Sequence, residues 1–226
     1  YNYGQYIWYN TCMREIEYFP QYEGYPPVKA AEADTLYAQA ISEAKRAGVS
    51  ELAYPKYFEP EWKPGQPKIG VLVIHGYTVG PLQMLELSKM FYQNNMAAYL
   101  PRLTGHGTNP EDLRHVKWSD WHRDVELAYQ FLKSTCDQIY VLGFSLGGTL
   151  AYLLAAEYPE IKGVVTDGAI FKVAHWGAHA LRILEAVLEH VFYRDLGMPR
   201  VPVPQEMRHI AYDIYPTRST YQILEL

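Results

Sequence analysis

The chain has 226 residues, enough for one domain with a sizeable core, with or without an extension. Its 49% apolar and 20% charged residues are typical of a globular protein, and no apolar run approaches the roughly 20 residues of a membrane helix. A net charge of −5 argues against nucleic acid as a partner, because binding phosphates requires a basic face.

Cysteine and histidine give no sign of a disulfide framework, a metal site or a cofactor. There are two cysteines, and the eight histidines lack the paired spacing of metal ligands. Cys136 is interpreted as a half-buried structural thiol. The chain begins with Tyr rather than Met, so we expect the true N-terminus to be missing. A removed signal peptide stays possible, and the compartment stays unknown, with the cytoplasm as the slightly favoured expectation.

Residues 1–52 are interpreted as an N-terminal extension with one helix. Residues 1–28 are rich in aromatics, glycine and proline without a sustained period. The alanine-rich segment 29–47 has its apolar residues at helical spacing, and a glycine follows it.

Strands and helices alternate over 53–169, which we interpret as an α/β core. The run IGVLVI at 69–74 is typical of a strand buried on both faces of a parallel sheet. The alternation predicts a mostly parallel sheet with helices on both faces. The expected strands are 53–62, 69–74, 96–100, 138–142 and 161–166; the expected helices are 81–94, 118–134 and 146–157, with a loop at 103–115.

Residues 170–226 are predicted to form a helical cap, or lid, over the sheet. An amphipathic helix is expected over 174–193, followed by a proline-rich stretch and a short helix over 220–226. No further strand is expected after residue 166.

The sequence GFSLG, between a predicted strand and a predicted helix, indicates a catalytic serine. A nucleophilic hydroxyl must project from a sharp strand-to-helix turn, and only minimal side chains fit two residues on either side of it. Ser145 is therefore the predicted nucleophile, with Gly143 and Gly147 supporting the turn. The alternative is a serine in an ordinary glycine-rich turn.

The sequence His75-Gly76-Tyr77, directly after the strand at 69–74, predicts part of an oxyanion hole. Acyl transfer requires two preorganised N–H donors, each worth about 3 kcal/mol in the transition state. One donor is expected from Leu146, after the nucleophile and at a helix N-terminus, and the other from Tyr77. Gly76 and His75 are expected to support the loop, His75 by bonding backbone rather than by chemistry.

Four segments, HGYTVGP, LPRLTGHGTNPEDL, WSDWHRDV and GFSLGG, resemble the bacterial carboxylesterase and monoacylglycerol lipase branch of the α/β-hydrolases. The resemblance runs from about residue 57 to the C-terminus. It implies the α/β-hydrolase fold with a helical cap, and hydrolysis of a small carboxylic ester, expected to be an acyl ester, through an acyl-enzyme on Ser145. His106, in a loop similar to the family's loop near the pocket, is interpreted as structural.

The chain departs from the family where the catalytic acid and base are expected. These follow the seventh and eighth strands, which are missing, so we expect a truncated sequence, or else a second chain that supplies both. Beyond Leu226 we expect two further strands, an Asp after the first and a His after the second. Asp167 is a less favoured acid that otherwise shapes the pocket mouth. Four histidines in the predicted cap are not expected to act as the base: His175, His179, His190 and His209.

The missing base has a large expected effect, because a serine hydroxyl alone is a weak nucleophile. Losing the base costs roughly a millionfold in turnover, so these 226 residues alone are expected to be nearly inert. Two alternatives remain, since fold does not settle function. One is another reaction of the same fold, by a C–C hydrolase, peptidase or perhydrolase; the other is a non-catalytic binding protein.

Overall fold

The computed structural model describes residues 33–171, 211–212, 216, 219–220, 222–223 and 226, and its central feature is a five-stranded sheet. The spatial order is β1-β3-β2-β4-β5; β1 is antiparallel to β3, and all other neighbours are parallel. The predicted, mostly parallel sheet is confirmed. The strands are β1 Lys56–Phe58, β2 Ile69–Ile74, β3 Ala97–Leu100, β4 Gln138–Phe144 and β5 Gly163–Asp167.

Helices cover both faces of this sheet. The α-helices of the described residues are α1 Ala33–Arg46, α2 Leu85–Gln93, α3 Pro110–Leu113, α4 Trp118–Thr135 and α5 Leu146–Glu157. Alternate residues of β2 explain why its whole sequence is apolar: Leu72 and Ile74 join the core under α4 and α5, whereas Val71 and Val73 join the core under α2. None of the helices in the described ranges has the length and apolarity needed to cross a bilayer.

The first predicted strand, 53–62, is wrong in extent. Only Lys56–Phe58 pairs with β3, and the preceding Glu51–Ala53 forms a 3-10 turn. Pro55 and Pro60 lie on either side of the paired residues, and a proline has no N–H to contribute to a sheet.

Two other segments also differ from prediction. The predicted loop 103–115 contains α3, which Asn109 caps by accepting a hydrogen bond from the Glu111 N–H at 2.8 Å. The helix predicted over 81–94 consists of a 3-10 turn, Pro81–Met84, followed by α2.

Parts of the predicted extension and cap pack on the core. In α1, Tyr37 makes edge or tilted ring contacts with Tyr57, Tyr99 and Phe131. Near the C-terminus, Ile223 is buried with side chains of α4 and α5. The predicted cap helix 174–193 lies outside the described residues, as do the four cap histidines: His175, His179, His190 and His209.

Candidate active site

Ser145 is held in a strained turn between β4 and α5. Its φ of 52° and ψ of −118° lie where residues other than glycine are rare. The Ser145 N–H donates to the Asp167 carbonyl at 2.7 Å, and its own carbonyl accepts from the Gly148 N–H at 2.9 Å. The half-buried serine thus projects from a bend that backbone hydrogen bonds fix on both sides.

Gly143 and Gly147 allow close approach of α5 to the sheet. A Cβ on Gly143 would lie 2.0 Å from the Gly147 carbonyl oxygen. A Cβ on Gly147 would lie 2.4 Å and 2.5 Å from the carbonyl oxygens of Ile74 and His75. Because all of these obstacles are backbone atoms, a side chain at either position would push the helix and the serine out of place.

The loop 75–78 lies beside this turn. Because the sequence predicts an oxyanion donor in it, we call it the oxyanion loop. Ile74 of β2 is in register with Gly143 of β4, so the two loops leave neighbouring strand ends. A Cβ on Gly76 would lie 3.0 Å from the Phe144 ring, which confirms how closely the loops approach. Leu146 is the first residue of α5, where an N–H has no acceptor within the helix.

Gln83 supports the oxyanion loop and was not predicted. Its side-chain oxygen accepts a hydrogen bond from the Gly76 N–H at 2.9 Å. The amide therefore fixes the backbone one residue before Tyr77. A glutamine in the turn after Pro81 carries no sequence signal for this role.

His75 is buried and supports the oxyanion loop through hydrogen bonds to backbone groups. Its Nε2 accepts from the Leu103 N–H at 3.1 Å, so its Nδ1 carries the proton and donates to the Gly76 carbonyl at 2.8 Å. Burial lowers the pKa of His75 to about 4. Both ring nitrogens of this neutral imidazole are occupied, which leaves neither free to activate Ser145.

His106 also supports the oxyanion loop through a hydrogen bond. Its Nε2 accepts from the Thr78 N–H at 3.1 Å, and its Nδ1 lies 3.2 Å from the carbonyl oxygens of Leu103 and Thr104. Burial, followed by the charge effect of His75, holds the pKa of His106 well below its ordinary value. The two imidazoles lie 5.0 Å apart and together join the oxyanion loop to residues 103–106.

Asp124 of α4 holds residues 103–106 in place through Thr104. Its carboxylate accepts from the Thr104 N–H at 2.6 Å, and burial raises its pKa to about 7.

Burial also raises the pKa of the half-buried Cys136 to about 11, so this residue stays a thiol rather than a second nucleophile.

No described histidine is placed to activate the serine. His122 is buried and its Nε2 lies 2.8 Å from Glu157, between α4 and α5, and His115 is exposed before α4. Within the described part of the chain, no histidine is hydrogen-bonded to Ser145. Asp167 meets Ser145 through its backbone carbonyl while its side chain is exposed. The described ranges also contain no group of three or more side chains able to hold a metal ion.

The family follows from a match over more than half of the chain. The family model described as serine aminopeptidase, S33, matches residues 65–209. The chain belongs to this family.

Relatives within the α/β-hydrolases are similar over much of the chain. A thermostable monoacylglycerol lipase of Bacillus sp. (strain H-257) is 33% identical over 174 residues, which cover 74% of this chain and 65% of that protein. A carboxylesterase of Bacillus subtilis (strain 168) is 34% identical over 96 residues, 42% of this chain and 39% of that protein. The chain therefore spans less than two thirds of the length of both relatives.

A solved structure confirms the predicted fold. It comes from work on LipS and LipT, two metagenome-derived lipolytic enzymes, and is similar with a TM-score of 0.65 and 27% identity. The similarity covers 78% of this chain and 69% of that one. The chain has the α/β-hydrolase fold, as the resemblance of its four motifs implied.

Proposed function

We propose that the protein hydrolyses small carboxylic esters, with acyl esters favoured, through an acyl-enzyme on Ser145. The observation that carries this proposal is the strained Ser145 turn, fixed directly beside the oxyanion loop. Backbone strain of this kind persists only where the surroundings enforce it, and it clusters at functional sites. Similarity to a monoacylglycerol lipase and a carboxylesterase supports the ester as the substrate class.

The proposed reaction has two halves. The Ser145 Oγ bonds to the ester carbonyl carbon as a base takes its proton, and the carbonyl oxygen becomes an oxyanion. The N–H groups of Leu146 and Tyr77 stabilise that charge, each by about 3 kcal/mol. The C–O bond to the alcohol then breaks, and the alcohol leaves with the proton. Water attacks the acyl-enzyme in the same way and releases the acid.

The proposed base lies outside the residues that the structure describes, or on a second chain. Both ring nitrogens of His75 and of His106 are hydrogen-bonded to backbone groups of residues 75–78 and 103–106, and His122 is hydrogen-bonded to Glu157. An Asp–His pair from elsewhere would complete the order of Ser, acid and His that this fold uses.

Peptide hydrolysis is the main competing reaction, because the matching family is described as a serine aminopeptidase. A serine turn and an oxyanion loop serve esters and amides alike, so this geometry does not separate the two. The names of the two Bacillus relatives favour the ester. The intact serine turn beside the oxyanion loop favours catalysis over a protein that only binds its ligand.

The test measures covalent labelling of the full-length protein by a fluorophosphonate probe. We expect labelling of the wild type and none of Ser145→Ala. The matched control is Ser134→Ala, since this serine lies on α4 and bonds the Phe131 carbonyl. Turnover of p-nitrophenyl esters from acetate to laurate is then compared with that of aminoacyl p-nitroanilides. Absence of labelling would overturn the serine mechanism, and cleavage of the anilides alone would overturn the ester.

A further inference from the structure

Four described residues near the C-terminus contact the oxyanion loop directly: Tyr212, Pro216, Ser219 and Thr220. Two more, Gln222 and Ile223, contact the body of the domain. We call these six residues the C-terminal anchor. We propose that this anchor holds the Tyr77 amide in place, which makes Tyr212 and Ser219 positioning residues for the reaction. The inference rests on the proposed function above.

The first contact is made by the Tyr77 side chain. Its hydroxyl lies 2.5 Å from the Ser219 Oγ and 3.3 Å from both the Thr220 hydroxyl and the Pro216 carbonyl oxygen. Ser219 is fully buried. The ring of Tyr77 also meets the Trp121 ring edge-on at 6.0 Å. The side chain is thus held at its tip and along its ring, which restricts the backbone that carries it.

The second contact acts on Thr78, the next residue. Thr78 has a φ of 62°, a genuine outlier for a β-branched side chain. Its carbonyl accepts from the Tyr212 N–H at 2.7 Å, and its own N–H donates to His106. Strain of about 1–3 kcal/mol persists only when neighbours enforce it. One of these two bonds to Thr78 comes from the anchor.

The third contact joins Tyr212 to residues 105–108, in the loop before α3. The Tyr212 hydroxyl accepts from the Thr108 N–H at 2.8 Å and donates to the Gly105 carbonyl at 3.1 Å. Its ring lies parallel to that of His106, with an interplanar angle of 8°. Tyr212 therefore ties the oxyanion loop and residues 105–108 together.

The anchor is itself fixed to the body of the domain. The Gln222 side-chain oxygen accepts from the Trp118 N–H at 3.1 Å, at the start of α4, and Ile223 is buried in the core. The oxyanion loop is therefore connected through the anchor to α4. An oxyanion donor acts well only within 2.7–3.1 Å of the developing charge. Releasing the loop should therefore slow acylation more than it weakens binding.

The experiment compares Tyr212→Phe and Ser219→Ala with the wild-type full-length protein. The matched controls, Tyr129→Phe and Ser134→Ala, each remove one hydroxyl of α4 that bonds elsewhere, to Glu160 and to the Phe131 carbonyl. For both test variants we expect the rate of phosphonylation by the fluorophosphonate and the kcat on p-nitrophenyl butyrate to fall about tenfold, a fraction of the effect of losing one donor, with KM unchanged within about twofold. Hydrogen exchange at the Thr78 amide should quicken about tenfold, and the controls should change neither quantity.

Each outcome decides a different proposal. If the wild type is labelled and the test variants are phosphonylated at the same rate, the proposal of the anchor is overturned and the serine mechanism stands. If the wild type is not labelled, the proposed function fails, and unchanged exchange at Thr78 in the variants then overturns the anchor as well. Should Tyr212→Phe fail to fold, Tyr77→Phe replaces it, because it removes only the hydroxyl that reaches Ser219; we expect the same tenfold changes.

Discussion

At the scale of single residues, the proposed site depends on three backbone positions. Ser145 and Thr78 have positive φ values and carry side chains, and each is kept there by hydrogen bonds from other elements. Gly147 brings α5 against the end of β2. The proposed chemistry therefore rests on backbone geometry that side-chain identity alone does not specify.

The two glycines of the serine turn should be intolerant of alanine. In Gly143→Ala the new Cβ would meet a backbone oxygen at 2.0 Å, which has little freedom to move. We expect a loss of about 3 kcal/mol in the free energy of unfolding, at the upper end of overpacking. Gly163→Ala is the control, since its nearest atom, at 3.1 Å, belongs to the exposed ring of Tyr140; we expect less than about 1 kcal/mol. Urea unfolding measures both, and equal losses would contradict the close-approach argument.

The imidazole of His75 should stay neutral at pH values well below the ordinary histidine pKa of 6.5. Its folded pKa of about 4 lies below the ordinary 6.5, so the unfolded chain binds more protons between these values. Its contribution to stability, on the order of 3 kcal/mol, is complete above pH 6.5 and is lost as the pH falls towards 4. Asp124 has the opposite pH dependence. Because burial raises its pKa in the folded state, its contribution to the free energy of unfolding falls as the pH rises towards 7.

Nitrogen NMR of the imidazoles measures this directly. We expect the ring shifts of His75 to be constant from pH 8 to pH 5.5, and those of the urea-unfolded protein to change near 6.5. A midpoint near 6.5 for His75 in the folded protein would contradict its role as a neutral brace.

At the scale of elements, the strongly patterned segments were predictable. The run at 69–74 became β2 because alternate residues face two cores. The short helix α3 had a readable signal, an Asn cap followed by Pro at the first helical position, which the glycine-rich surroundings obscured. The contact of Tyr77 with Ser219 had no readable signal in the sequence. It joins residues 142 apart through two hydroxyls, and neither belongs to a periodic pattern.

Helix α1 should contribute to core stability, although its sequence was interpreted as part of an extension. Tyr37 contacts three aromatic rings, two on the sheet and one on α4. Tyr37→Ala should lower the free energy of unfolding by about 3 kcal/mol, as expected for loss of a packed aromatic side chain. Tyr37→Phe keeps the ring and loses the hydroxyl, which donates a 3.4 Å hydrogen bond to the Pro55 carbonyl, so it should cost less than about 1 kcal/mol. Thermal unfolding separates the two, and a neutral Tyr37→Ala would show that α1 is dispensable.

At the scale of the whole molecule, the proposed site lies where the chain leaves neighbouring strands for opposite faces. After β2 the chain passes to α2 on one face, and after β4 it passes to α5 on the other. In open α/β sheets such a divergence, at the carboxyl ends of parallel strands, is the usual place for ligand binding. The α/β-hydrolase superfamily and its fold were predictable from the resemblance of four motifs. The proposed catalytic base was not predictable, because none of the motifs assigns a histidine to that role.

The most direct test of the central claim is a crystal structure of the full-length protein after reaction with a fluorophosphonate. We predict phosphorus bonded to the Ser145 Oγ, with one phosphonyl oxygen 2.7–3.1 Å from the amide nitrogens of both Tyr77 and Leu146. A phosphonate on another residue, or an oxygen directed away from both amides, would contradict the account.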